Sequence, residues 1–339
     1  MKRLVLVLVL AACGGGKAEP CPPGEFCTQL SSYGLFEDIA TQTPVAELLP
    51  YSLNTPLFSD YADKERFVWL PPGTAMTWND SDAFAFPDGG MLVKTFAYPI
   101  DRRDPAQGRR LLETRLLVHE AGAWTGASYV YDEADQSDAT LAVAGATLDT
   151  SWIHDDGAPR TNRYAVPNKN QCKNCHAEHE DTMDALGPKA RHVANLQTFV
   201  DAGALVGAPP ADQWPPPIVA ADPSTGTVEQ RARQWLDINC GNCHNARGGA
   251  ARTSGLYLDI AQTDPGALGV CKPPVAAGKG SGGRQYGIVP GQPDASILVY
   301  RIESTEPEIK MPELGRNLVH AEGVALIREW ITQLPGSCD

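Results

Sequence analysis

Two five-residue runs, Cys172-Lys173-Asn174-Cys175-His176 and Cys240-Gly241-Asn242-Cys243-His244, constrain this chain more than any other feature. In a CxxCH run the paired cysteines can form thioethers to the two vinyl groups of one porphyrin, and the histidine that follows turns its imidazole onto the iron. The same spacing serves zinc knuckles and dithiol redox sites. Two copies with the same trailing histidine, in a chain bearing an export signal, read instead as two covalently bound c-type haems.

The export signal is the N-terminus. Lys2 and Arg3 form a positive region, Leu4 to Leu10 a short apolar run, and Leu10-Ala11-Ala12-Cys13 reads as a lipobox cleaved before Cys13. The run is too short to span a bilayer, so residues 1–12 are excluded from the fold and Cys13 is expected to carry a diacylglyceryl anchor. Gly14-Gly15-Gly16 would be its tether. An ordinary secretory leader is the other reading. Under the first, the protein is lipid-anchored in the cell envelope and faces the periplasm, and Gly14 after the anchor points to the outer membrane.

The chain has nine cysteines. With one as anchor and four in the motifs, Cys21, Cys27, Cys271 and Cys338 remain, an even set in an oxidising compartment. Three pairings are open. The preferred one joins Cys21 to Cys27 across a Pro-Pro-Gly turn and Cys271 to Cys338, tying a loop to the C-terminus.

The formal charge is −13, and loss of Lys2 and Arg3 with the leader leaves −15. Nucleic acid is therefore not an expected partner, since phosphate binding needs basic patches. Other redox proteins of the envelope with basic docking faces are, and the membrane is contacted through the lipid.

Prolines 209, 210, 215, 216, 217 and 223 gather around Trp214, and this predicts a stiff linker over residues 205–226 that separates one motif from the other. Before it, residues 51–204 read as mainly β, following an N-terminal segment over 13–50. Phe67 to Leu70, Met91 to Tyr98 and Trp124 to Tyr131 look like strands, and Leu112, Thr114, Leu116 and Val118 alternate onto one face. Pro87 to Gly90 and Glu120 to Ala123 look like turns. Residues 227–339 read as helical. Val228, Ala232, Trp235 and Leu236 recur at helix spacing just before the second motif, as do Val324, Ile327, Ile331 and Leu334 at the C-terminus.

From about residue 227 to 337 the chain resembles a class I cytochrome c. The helix entering Cys240–His244, the late Met311-Pro312 and the terminal helix with Trp330 carry that resemblance. It implies His244 as proximal ligand and Met311 as distal ligand. Met311 lies 67 residues beyond His244, far enough to wrap round a porphyrin, and a thioether opposite imidazole raises the potential. His320 is the reserve ligand.

No Met-Pro loop follows His176 before the linker, and the first motif is expected to have no distal protein ligand, with His192 as second choice. From about Arg66 to His176 the chain resembles the cytochrome P460 and cytochrome c′-β group, through Phe86-Pro87-Asp88-Gly89-Gly90-Met91-Leu92-Val93-Lys94, the strand pair joined near Glu120–Trp124, and the motif placed after the strands. The resemblance implies an open distal iron site and a haem-pocket role for Lys94, which alternation places on a face with Leu92, Phe96 and Tyr98. The bland reading is a lysine snorkelling from a strand edge or paired with Asp101 or Glu113.

The mature chain also resembles a broader group of bacterial dihaem c-type cytochromes, through Pro56–Tyr61, Leu186–Arg191 and Val289-Pro290-Gly291. The expected fold is α+β, a β-sheet haem domain followed by an all-α class I cytochrome c domain. The expected function is envelope electron transfer. The competing expectation is an enzyme that binds hydroxylamine, nitric oxide or peroxide at an open first haem, with the second as relay.

Overall fold

The computed structural model describes Cys21, residues 25–179 and residues 182–338. The leader, Cys13 and the glycine tether lie outside them.

The fold is mixed α+β, with an antiparallel sheet ahead of a helical half. Five strands form a meander in which each pairs with the next: β1 (Leu48–Tyr51), β2 (Asp63–Trp69), β3 (Met91–Pro99), β4 (Arg109–Glu120) and β5 (Ala123–Tyr131). Shorter pieces extend the sheet past β5, at Ala139–Leu141 and at Thr182–Met183. The β4–β5 turn is two residues long, with Ala121 at φ 52° and Gly122 at φ 74°, the hand that matches strand twist.

Strand alternation sends one set of side chains to each face. Leu48, Phe67, Val93, Leu116 and Tyr129 pack under the N-terminal segment, against Leu30, Leu35 and Ile39. The opposite face carries two apolar clusters. Val68, Leu92 and Trp124 meet Met183 and Phe199 at one end. At the other, Phe96 and Tyr98 meet Trp152 and Tyr164 of a hairpin formed by β6 (Ala146–Ile153) and β7 (Pro159–Val166).

The sequence alternation mislaid one residue. Phe96 pairs with Glu113 and Ala97 with Leu111, so Leu112 is an extra residue in the ladder. This bulge turns Leu112 in with Phe96 and Tyr98, while Leu116 and Val118 keep the other face.

In the second half, α2 (Val228–Asn239) starts at a capping box between Thr227 and Gln230 and packs on the terminal helix α3 (Ala321–Gln333) through Trp235, Leu236, Ile327 and Ile331. The helix α1 (Lys169–His176) belongs to the first half and ends on the first motif. A Cβ at Gly323 would collide with the Trp235 indole, so glycine there permits the close approach of α3 to α2. No helix among the described residues is long and apolar enough to cross a membrane. The structure bonds Cys21 to Cys27 and Cys271 to Cys338.

Residues 205–226 do not stand as a spacer. Leu205–Val206 pairs in parallel with Met76–Thr77, Trp214 stacks on Trp78 at 6.3 Å, and Thr55 Oγ1 bonds Ile218 O and Ala220 N. Proline removes a donor but leaves the carbonyls and the flanking apolar side chains free to pack. The connector is laid along the first half, and the two halves meet directly.

That meeting is made by buried polar groups. Asp60, 3 % exposed, accepts from Asn317 N and Leu318 N at 2.7 and 2.8 Å and from Asn162 Nδ2 at 3.0 Å. Asp60 and Tyr61 are both left-handed, at φ 53° and 64°, a strain these bonds hold in place. Phe58 donates its N–H to Asn239 Oδ1 at 2.9 Å and stacks on His320 at 4.4 Å. His320 accepts from Trp235 Nε1 at 3.0 Å, which occupies the reserve ligand in the interface.

Burial pushes the His320 imidazole down to about 4, against the pull of Glu322 and with help from Lys64. The unfolded chain therefore takes up this proton first as pH falls below the usual histidine value. The stability held by neutral His320 is complete above that value and is lost progressively toward pH 4, by at most about 3 kcal/mol. Denaturant midpoints measured at pH 7 and pH 5 should fall with acid in the parent, and His320→Gln should show a shallower fall.

Candidate functional site

The two CxxCH runs reach the same local geometry from different scaffolds. The first ends α1, whose start is fixed by Asn168 and Gln171 bonding each other's backbone N–H groups at 2.9 Å. Cys172 faces the sheet, against the cluster of Val68, Leu92 and Trp124. The second follows α2, with Cys240 as its C-cap and the backbone N–H groups of Cys243 and His244 both turned back to Cys240 O, at 3.1 and 2.9 Å.

Each motif histidine gives its Nδ1–H to a backbone carbonyl downstream. His176 Nδ1 bonds Asp184 O at 2.8 Å, and His244 Nδ1 bonds Leu256 O at 3.3 Å. Asp184 N returns a bond to His176 O at 2.7 Å, and Leu258 N one to His244 O at 2.7 Å. Burial pushes His176 down to about 4 and lowers His244 as well. Both rings are neutral near pH 7 with the proton on Nδ1, which leaves the Nε2 lone pair for a metal.

The four motif cysteines are free thiols, in contrast to the two bonded pairs. Cys175 and Cys243 act on one another, which holds Cys175 down to about 7 and pushes Cys243 up. The two motifs, 68 residues apart in sequence, thus come near one another at their second cysteines. Among the described residues no three His, Cys, Asp or Glu side chains gather as a metal site, so the four sulfurs do not form one tetrathiolate.

The Met311 loop lies beside the second motif. Met311 N bonds Arg301 O at 3.0 Å, and Arg316, 4 % exposed, reaches Met311 O, Leu318 O and Ser304 O at 2.9 to 3.0 Å. The charges of this loop act on the motif: Glu313 on Cys243 and His244, Arg316 on Cys240. Met311 is therefore carried by a braced loop whose neighbouring charges are felt at the second motif.

At the first motif, the histidines and methionines of the first half that could serve as axial partners are mostly committed elsewhere. His192 Nε2 meets Asp237 Oδ2 at 2.6 Å, so this second-choice ligand is an interface residue. His154 accepts from Trp152 and His119 faces Pro87 O. Met76, Met91 and Met183 sit in apolar clusters.

The charges that act on His176 come from Lys94 and Arg115. Lys94 stands on the expected face of β3, half-buried, with Nζ 4.8 Å from the Phe96 ring centre. Neither proposed carboxylate takes it. Asp101 is held by Arg103 at 2.8 and 3.0 Å, and Glu113 by Arg115 and by Tyr164 Oη at 2.6 Å. Burial and then Arg66, Arg115 and Lys64 push Lys94 well below the usual lysine range.

The register shows what the sequence did not. Arg66, Lys94, Arg115 and Ser128 are direct cross-strand neighbours on β2, β3, β4 and β5. Parity within each strand was readable, but which residues stand opposite depends on the bulge and the turns. Asp237 was also missed. It lies on α2, 2 % exposed, and takes Arg191 Nε at 2.7 Å as well as His192. Burial alone would raise this carboxyl, but the bonds and charges of His192 and Arg191 hold it well below the carboxylate range.

Family models, curated proteins and solved structures all fail to match the chain, so its chemistry is read from these residues.

Asp237→Ala removes the anion shared by buried His192 and part-buried Arg191. It should cost about 3–5 kcal/mol, seen as a drop in the denaturant midpoint, with Asp237→Asn losing less.

Proposed function

We propose that the chain is a dihaem c-type cytochrome that transfers electrons in the bacterial cell envelope. The observation that carries this reading is the matched geometry of His176 and His244, each neutral, fixed through Nδ1 and with Nε2 unspent beside a pair of free cysteines. Cys172 and Cys175 hold one haem and Cys240 and Cys243 the other, with His176 and His244 as proximal ligands and Met311 as distal ligand of the second. The groups would supply one-electron chemistry, and a thioether opposite imidazole favours the reduced state.

What the chain contributes is orientation and proximity. The nearness of Cys175 to Cys243 would bring the two attachment edges toward one another, which suits passage of electrons between the sites and on to a partner redox protein. Cys13, as a lipidated anchor, would tether the protein to the membrane facing the periplasm, in keeping with an outer-membrane address.

A second reading has its own support. His119, His154 and His192 are all engaged away from His176, and the charged groups acting on that histidine are a lysine and an arginine. That favours an open first iron able to bind a small nitrogen or oxygen species, with the second haem as relay.

Mass measurement of exported protein should show two attached haems, and fewer than two would overturn the proposal. Two low-spin spectra with no uptake of carbon monoxide would remove the enzyme reading. One high-spin haem that takes up carbon monoxide would favour it. Met311→Ala should lower the potential of one haem and abolish thioether-to-iron absorption; no change in either would reject Met311 as a ligand.

A further inference from the structure

Between its two apolar clusters, the sheet face beside the first motif carries a band of basic side chains. Arg66, Lys94 and Arg115 stand side by side on three adjacent strands, and Lys64 follows on β2. Like charges directly opposite one another destabilise a sheet. The band has one buried carboxylate, Glu113, and Arg115 and Tyr164 occupy it. Asp63 pairs with Arg102, and Asp60 is spent on the backbone of residues 317 and 318.

Among the described residues, two buried polar atoms in this band have no partner. Arg66 is 7 % exposed and bonds Lys64 O through Nη1 at 3.2 Å, but its Nη2 bonds nothing. Ser128, 4 % exposed, leaves its Oγ unbonded at the other end of the row. A buried guanidinium nitrogen without an acceptor is costly, and the cost points to a group that supplies one.

The position of the band says which group. Arg115 acts on Cys172, Cys175 and His176, so that end lies at the attachment cysteines. Arg66 is two strands further on, about 10 Å away. A flat group bonded at Cys172 and Cys175 and lying across the strands would bring its far edge to Arg66.

We infer that Arg66 and Lys94, with Lys64 beside them, form the seat for the two propionate carboxylates of the first haem. This rests on the dihaem reading and assigns Lys94 a charge-pairing role in the haem pocket. The fork of Arg66 offers two parallel N–H groups to one carboxylate, and Lys94 offers a point charge to the other. A cation held beside the haem favours the more negative, reduced state.

The test uses the exported, haem-loaded protein. Arg66→Gln and Lys94→Gln should each retain two haems by mass and shift the first haem to lower potential, while Arg66→Lys stays near the parent. In Arg66→Gln the potential should also vary more steeply with pH, because a carboxylate that has lost its guanidinium takes up a proton more readily. Unchanged potentials in both glutamine variants would overturn the inference and leave the dihaem reading intact. Fewer than two haems in the parent would sink that reading itself. Phosphate titrated into the parent should leave the haem absorption unchanged. A saturable shift that disappears in Arg66→Gln would show that the seat takes a free anion, which also overturns the propionate assignment.

Discussion

Asp237 fixes the two halves of the molecule to one another. It sits one turn ahead of Cys240 on α2 and takes Arg191 and His192 from the first half, while Ile260 N bonds its other oxygen at 3.0 Å. Burying a carboxylate carries a heavy desolvation cost, and only full satisfaction of its lone pairs offsets it. Those bonds have a direction, so they specify how the halves dock as well as that they dock. The nearness of Cys175 to Cys243 follows from that docking, as does the ion pair of Asp82 with Arg247 across the same junction.

The stretches behind the broad dihaem resemblance acquire a physical meaning here. Phe58, Asp60 and Tyr61 of Pro56–Tyr61 grip Asn239, residues 317–318 and Val319. Lys189 and Arg191 of Leu186–Arg191 reach Asp82 and Asp237. Gly291 of the third stretch bonds Ile331 O at 2.9 Å and ties the loop to α3. Two of the three therefore serve the junction between halves, and the third serves the helical core.

The sheet resolves a conflict between packing and charge. Its outer face is closed by the N-terminal segment and carries a neutral buried network of Gln42, Thr95, Thr114 and Tyr131. The inner face is apolar at both ends and cationic between, with Arg66 and Ser128 incompletely satisfied. A face built only for folding would not place three cations in register. Such a departure from local consistency is characteristic of a site that serves a ligand.

The sequence by itself determined the strands over 91–98 and 124–131, the helices before Cys240 and at the C-terminus, the turn at 120–123 and the face on which Lys94 stands. All of these depend on periods of two or 3.6 residues and on turn chemistry, which are local. It also marked the motif residues, because the chemistry of CxxCH lies within five positions. Only the tertiary structure decided that Leu112 leaves its expected face, that residues 205–226 lie against the first half, that His192 belongs to Asp237, and that Arg66 and Arg115 flank Lys94. Each of these depends on which residues of distant segments stand opposite one another, and register and docking are set by long-range pairing that no local period encodes.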